Sequence, residues 1–300
     1  MERIKFGAQS TFSRIIHGHW RLASWNMAGQ DLLRLTEQAI EAGVTTFDHA
    51  DIYGNYQCEA LFGNALSLNK GLRRKIEIIT KCGIKLLSDK FPGRRLKHYD
   101  YSSGHIIASV ERSLVNLRTE YIDLLLLHRP APFFDPGEVA KAFSHLKQSG
   151  KVLNFGVSNF TSPQFEMLDA FTEEKLVTNQ VEISPYCLDH FANGNVDFFL
   201  KNRIKPLAWS PLAGGRLMNP EDEKGHRIRQ ALLEVADELN GSAADTVIYA
   251  WLLKHPAGIL PVVGTGKIER IITAADAFNI DMNLEQWYKI YNASTGMDLP

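Results

Sequence analysis

The chain has 300 residues, 45% hydrophobic and 22% charged, proportions that exclude disorder and leave room for a large core and an enclosed site. Lys plus Arg number 33 against 34 for Asp plus Glu, a formal net charge of −1, so the chain as a whole carries no electrostatic footprint for nucleic acid or an anionic membrane. Three cysteines, Cys58, Cys82 and Cys187, form no CxxC pair and no metal-ligand spacing, which fits a reducing compartment. The N-terminal MERIKFGAQSTFSRIIHG lacks the apolar core of a signal peptide, and the longest aliphatic run, Leu124 to Leu127, is far too short for a membrane span. A cytoplasmic protein is expected.

In chain order, runs near Ile4–Phe6 and Thr11–Ser13, with a Gly/Ala/Gln turn between them, read as a small hairpin that would cap the bottom of a barrel. Eight short buried strands follow: Ile15–Ile16, Thr45–Phe47, Ile76–Thr80, Leu124–Leu127, Asn154–Val157, Thr178–Ile183, Pro206–Trp209 and Ile259–Val263. Amphipathic helical stretches lie between them. Asp31–Ala42 starts at an expected N-cap Asp, carries apolar Leu32, Leu35, Ala39 and Ile40, and stops at Gly43. Ser103–Leu117, Pro136–Gln148, Ser162–Phe171 and Arg227–Leu239 follow the same logic, with Ser162-Pro163 reading as N-cap and first-turn proline. Strict βα alternation implies a parallel sheet, and eight such units without a composition break favour one α/β domain over residues 1–300, a single (β/α)8 TIM barrel, over two doubly wound domains. Most strand-to-strand steps are about 24 to 31 residues, but Ile76 to Leu124 is 48 and Pro206 to Ile259 is 53. The extra length is expected in loops after strands 3 and 7, Gly83–Tyr101 and Pro211–Gly225, and long loops at that face of a barrel surround its active site.

Polar residues at the ends of barrel strands are the first candidates for chemistry. Strand 2 ends in Asp48, with Tyr53 five residues on; strand 3 ends near Lys81 and strand 4 at His128. These four come from consecutive strands and can converge as a proton-delivery device. A free phenol, with a pKa near 10, is a poor acid at neutral pH. A buried ammonium beside it favours the phenolate, the ammonium needs a carboxylate to stay charged away from water, and a nearby histidine can orient a carbonyl oxygen toward the phenol.

At this point the sequence resembles a known family. Gly43–Gly54, GVTTFDHADIYG, is similar to the first signature of the aldo-keto reductase superfamily, D-[TS]-A-x-x-YG, and Glu111–Pro130, ERSLVNLRTEYIDLLLLHRP, to its second. KVLNFGVSNF and NQVEISPY resemble the strand 5 and strand 6 segments; WSPLAGGRL and PVVGTGKIER resemble the two cofactor segments. The likeness runs in order through nearly the whole chain, and within the superfamily it resembles a bacterial YdhF-type branch. It implies reduction of an aldehyde or ketone by hydride transfer from NADPH, a small-molecule carbonyl substrate, no nucleic-acid or membrane partner, and a monomer. Tyr53 would be the proton donor, Lys81 and Asp48 its tuning pair, and His128 the group that orients the carbonyl. Ser158, Asn159 and Gln180 would bond the nicotinamide carboxamide and Trp209 would stack on its ring. Ser210, Leu212, Gly214 and Gly215 would follow the pyrophosphate; Thr265, Gly266, Lys267 and Arg270 would receive the adenosine 2′-phosphate at a helix N-terminus, with Gly264 before them also on the cofactor. Gly18, His19 and Trp20 would line the mouth near the reacting carbon.

The sequence also departs from the family. His49 replaces the small residue that usually follows the catalytic Asp, and Thr273 and Ala274 stand where many members carry a Glu-Asn pair that holds the adenine amino group. Arg21, Arg94, Arg95 and Arg129 near the expected mouth would favour an anionic substrate. Cys82 reads as a small buried apolar group and His17 as structural; Trp287, Tyr288 and Tyr291 fit either barrel-wall packing or the substrate pocket. Two other functions compete. His17-x-His19 on one strand invites a metal-dependent hydrolase, but Ser158-Asn159, Gln180 and Gly264 stand where that chemistry wants further ligands. A cofactor-sensing protein on the same fold would bind dinucleotide without turnover.

Overall fold

The computed structural model describes residues 2–7 and 10–299; Ala8 and Gln9 of the expected hairpin turn lie outside the described residues. The hairpin pairs β1 (Arg3–Phe6) with β2 (Ser10–Ser13), Ile4 opposite Phe12. Then come β3 (Ile16–Gly18), β4 (Thr46–Asp48), β5 (Glu77–Cys82), a second small hairpin of β6 (Ile84–Lys85) with β7 (His98–Tyr99), and β8 (Leu124–Leu127). They are followed by β9 (Phe155–Ser158), β10 (Leu176–Glu182), β11 (Leu207–Trp209) and β12 (Leu260–Val263). Strands β3, β4, β5, β8, β9, β10, β11 and β12 form a closed parallel barrel, shut by β12 against β3 with Val262 opposite Ile16 and Val263 opposite His17.

Side chains along a strand alternate between its two faces, so each barrel strand feeds two cores. Ile16, Ile79, Leu124, Leu126, Leu207, Leu260 and Val262 share one apolar cluster with Ile4, Phe6 and Phe12 of the hairpin, whose Phe6 and Phe12 rings stack at 4.7 Å. The hairpin therefore plugs the barrel interior. Leu125, Leu127, Val157 and Val181 belong to the outer cluster under the helices. Burial on both faces is why a run of four leucines makes a strand here.

The helices Ser103–Leu117, Pro136–Gln148 and Ser162–Phe171 have the expected bounds. Two caps differ. Gly29–Glu41 begins two residues before Asp31, with Ala28 at the N-cap, and Thr161 rather than Ser162 caps its helix because its hydroxyl reaches the Gln164 amide in a capping box. The long step before β12 also differs from a loop alone. The helix Glu223–Glu238 is followed by a second one, Ala244–Lys254, whose buried Val247, Ile248, Trp251 and Leu252 pack it on the barrel.

Candidate active site

Alternation continues past the strand ends and decides what faces the mouth. Counting by twos from Ile16, Thr46, Ile79 and Leu126 brings Gly18, Asp48, Lys81 and His128 to the inner face and His17, His19 and His49 to the outer one. Lys81 is 1% exposed and Asp48 3%. The Lys81 Nζ donates to both Asp48 oxygens at 2.7 Å, to the His49 carbonyl at 2.8 Å and to the Tyr53 hydroxyl at 3.2 Å. Gln180 Nε2 donates to Asp48 Oδ1 at 2.9 Å, so this amide first of all fixes the carboxylate. The His128 ring meets the Tyr53 ring edge-on at 5.8 Å, and its Nδ1 has no hydrogen-bond partner among the described residues.

Burial by itself would strip the Lys81 proton; the Asp48 carboxylate and the Tyr53 phenol more than offset it and hold the ammonium charged above its ordinary value. Burial pushes the Tyr53 phenol up, Lys81 pulls it down and Asp48 pushes it up again, and the net shift is upward. The ammonium does pull this phenol down, as expected, but the net lowering expected with it is corrected, because burial and, after it, Asp48 outweigh that pull. Burial, then Lys81, Arg129 and Lys97, hold the His128 imidazole far below its usual range, so it is neutral.

Tyr53 is set by its local backbone. Gly54, Asn55 and Tyr56 all have left-handed φ, at 57°, 53° and 63°. Glycine at 54 also makes room, since a Cβ there would lie 2.6 Å from Cys58 Sγ and 2.8 Å from the Ala23 Cβ. A left-handed tyrosine costs about 1–2 kcal/mol, and Tyr56 is held there by its surroundings. Its hydroxyl accepts from the Leu86 amide at 3.0 Å and from Arg94 at 2.6 Å, and its carbonyl accepts from Lys90 at 2.8 Å. All three donors belong to the 83–101 loop, so the segment after Tyr53 and that loop fasten each other.

These groups open into a cavity of about 840 Å³, within the range of ligand sites. Gly18, Trp20, Asp48, Tyr53, His128, Ser158, Asn159, Gln180 and Trp209 line one part of it; Ser210, Leu212, Gly214, Gly215, Gly264, Thr265 and Arg270 line another. Trp209 Nε1 donates to Asn159 Oδ1 at 3.0 Å, and Asn159 Nδ2 donates to Ser158 Oγ at 2.8 Å, which locks the indole ring. Ser210 and Ala213 have left-handed φ, as do Gly214 at 70° and Gly215 at 105°, and a Cβ on either glycine would meet open space.

Lys81 stands behind the wall, and His19, Gly266 and Lys267 are not on it either. Gly266 is pressed under Trp25, 2.9 Å from where its Cβ would be. His19 is fully buried outside the barrel, its Nδ1 3.0 Å from His49 Nε2, its ring near Phe47, Phe62 and His17. The His17 Nε2 bonds the Thr265 carbonyl at 2.8 Å. Trp287 stacks on Trp251 and Tyr291 on Trp287, and neither lines the cavity. Residues that sequence reasoning did not single out also line it: Leu86, Lys97 and Tyr99 from the second hairpin, and Asp245 and Tyr249 from the Ala244–Lys254 helix. The hairpin residues sat in a loop already marked by its length. Asp245 and Tyr249 carried no such mark.

A model of the aldo/keto reductase family matches residues 14–294. The uncharacterized oxidoreductase YcsN of Bacillus subtilis (strain 168) is 52% identical over 300 residues, and the oxidoreductase YdhF of Escherichia coli (strain K12) 47% identical over 301, each alignment covering all of both chains. A 6-dehydroglucose reductase of Agrobacterium fabrum (strain C58) is 41% identical over 300 residues, again covering all of both chains. Among solved structures, the thermostable aldo-keto reductase Tm1743 has a TM-score of 0.82 at 23% identity, covering 98% of this chain and 100% of that one, which speaks to the fold. With the fold shared and the sequence likeness running from end to end, the chain belongs to the aldo/keto reductase family of oxidoreductases.

Proposed function

We propose that this protein reduces a small polar aldehyde or ketone to an alcohol, using NADPH, with Tyr53 as the proton donor. One observation carries the reading: the Tyr53 hydroxyl lines a large cavity and lies 3.2 Å from a fully buried ammonium that is itself held by a carboxylate. The residues present fit a dinucleotide. Bare left-handed backbone at Gly214 and Gly215 faces the cavity and suits close approach by a pyrophosphate, and Arg270 with Thr265 suits a 2′-phosphate. Trp209 offers a fixed aromatic face, Ser158 and Asn159 lie beside it, and the Gln180 side-chain oxygen Oε1 makes no hydrogen bond among the described residues.

A bound reduced nicotinamide supplies the hydride. The neutral His128 imidazole orients the substrate carbonyl oxygen toward the phenol. The Tyr53 hydroxyl keeps its proton until negative charge develops on that oxygen, and then donates it. The phenolate left behind is stabilised by the Lys81 ammonium, while Asp48 and Gln180 hold that ammonium in place. Arg21, Lys97 and Arg129 line the cavity and form no ion pair among the described residues, which suits a substrate rich in hydroxyl or acidic oxygens. The 41%-identical relative is a 6-dehydroglucose reductase, which supports the same substrate class.

Tyr53→Phe is expected to lower kcat/KM by about 10²–10⁴-fold while the NADPH dissociation constant stays near wild type, the range general acid catalysis supplies. Turnover retained within tenfold refutes the assigned role. Tight NADPH binding by the wild-type protein with no oxidation on a panel of simple and sugar aldehydes would make it a cofactor-binding protein instead.

A further inference from the structure

Two positions that would ordinarily fix the adenine ring of a dinucleotide are unfit for it in this chain. Thr273 spends its hydroxyl on the Glu269 carbonyl at 2.9 Å, Ala274 is fully buried, and neither lines the cavity. Beside Arg270, the same end of the cavity is lined by Asp245 and Tyr249, one helical turn apart on Ala244–Lys254. The Tyr249 side chain is 2% exposed, yet its hydroxyl makes no hydrogen bond among the described residues. The hydroxyl oxygen is not sealed off from solvent as the ring is, so it opens on the cavity, where a ligand atom can meet it. Asp245 forms no ion pair among the described residues and accepts only from the neighbouring Thr246 amide at 3.1 Å, which leaves one carboxylate oxygen unused. Asp245 and Arg270 both act electrostatically on the Tyr249 phenol, which agrees with the three side chains sharing one end of the cavity.

We propose that Asp245 and Tyr249 recognise the purine base of the bound cofactor, Asp245 accepting from the adenine 6-amino group and Tyr249 donating to a ring nitrogen. This rests on the reading of the cavity as a dinucleotide site. A carboxylate can accept from a 6-amino group and is repelled by a 6-oxo group, so the site selects adenine over hypoxanthine. The pair takes over from the substituted positions 273 and 274, which do not reach the cavity.

The test measures dissociation constants by nicotinamide fluorescence for NADPH and for its deamino analogue, in which hypoxanthine replaces adenine. Wild type is expected to bind NADPH about tenfold or more tighter than the analogue, the range for a hydrogen bond to a charged acceptor. Asp245→Asn presents an amide that can donate to the 6-oxo group and is expected to bring the two affinities together or reverse their order. Tyr249→Phe, which keeps the ring packing, is expected to weaken NADPH several-fold with substrate KM unchanged. Equal affinities in wild type, or a preference that survives Asp245→Asn, overturn the assignment. So does Asp245→Asn tightening NADPH but not NADH, which would turn the carboxylate toward the 2′-phosphate. If wild type binds neither NADPH nor NADH, the dinucleotide reading itself fails; tight NADPH binding without base preference removes only this inference.

Discussion

A buried imidazole has no charge to offer, and His17, His19 and His49 make that a property of the fold. All three are buried on the outer face of β3 and β4, packed on one another and on Phe47 and Phe62. Burial holds His17 down at about 4 and holds His19 and His49 well below their usual range. The sign follows from linkage. Below pH 6.5 the unfolded chain takes up protons that the folded cluster refuses, so stability falls as pH drops from about 6.5 toward 4, by up to about 1.4 kcal/mol per pH unit for each histidine. His19→Phe removes one such site from an aromatic environment that tolerates a phenyl ring. Urea unfolding at pH 7, 6 and 5 is expected to show a pH slope shallower than wild type by about one proton; an unchanged slope would mean that His19 is not held neutral. The His17-x-His19 pair was readable as facing one way from strand alternation alone. The sequence reading nevertheless put His19 at the mouth; the structure turns both histidines outward, against helices, because Gly18 between them faces the mouth. The proton-relay residues were legible, being end-of-strand residues with inward parity.

The 83–101 loop brings Ile84, Leu86, Lys97 and Tyr99 to the cavity wall, and its length showed in the sequence while its form did not. Two-residue strands such as β6 and β7, which pair Ile84 with Tyr99 across a twelve-residue connection, have no periodicity to detect. What binds this loop to the site is Tyr56, through the Leu86 amide and the Arg94 guanidinium, with the Phe91 ring edge-on at 4.8 Å. Tyr56→Phe deletes both hydrogen bonds and keeps the packing. Amide exchange over 84–99 is expected to accelerate, and the substrate KM to rise by up to about tenfold, with cofactor affinity near wild type because none of these contacts touches the 210–215 or 264–270 segments. Unchanged exchange in the loop would show that Tyr56 does not fasten it. The Ala244–Lys254 helix was obscured for a different reason. A turn signal at Asn240-Gly241 and a helix apolar on nearly all sides gave no amphipathic stripe to read, so the long step before β12 looked like loop.

At the scale of the molecule the barrel is closed by three unlike pieces: a hairpin beneath, a cavity above, and the Leu284–Thr295 helix clasped to its side. Among the described residues no helix is long and apolar enough to cross a membrane. The C-terminal helix docks through two tryptophans, Trp251 and Trp287, stacked at 4.9 Å and nearly parallel, each indole N–H donating to the other's carbonyl at 3.1 Å. Both polar atoms of the indoles are thereby satisfied inside an apolar contact, the condition for burying two such rings. Tyr291 stacks on the far side of Trp287, and Lys289 bridges to Glu234 and Glu238 across the helix Glu223–Glu238. In sequence these aromatics fitted a pocket as well as a wall, because an aromatic stripe does not say which surface it meets. No residue of this helix lines the cavity, so its work is to cover Trp251. Trp287→Ala removes the stacked ring and is expected to cost about 3–5 kcal/mol in urea unfolding, the range for emptying a large aromatic site. Turnover per folded molecule, measured well below the thermal midpoint, is expected to stay within twofold of wild type. A loss of stability below about 1 kcal/mol would contradict the clasp. A fall in turnover at unchanged stability would instead mean that the C-terminal aromatics reach the substrate.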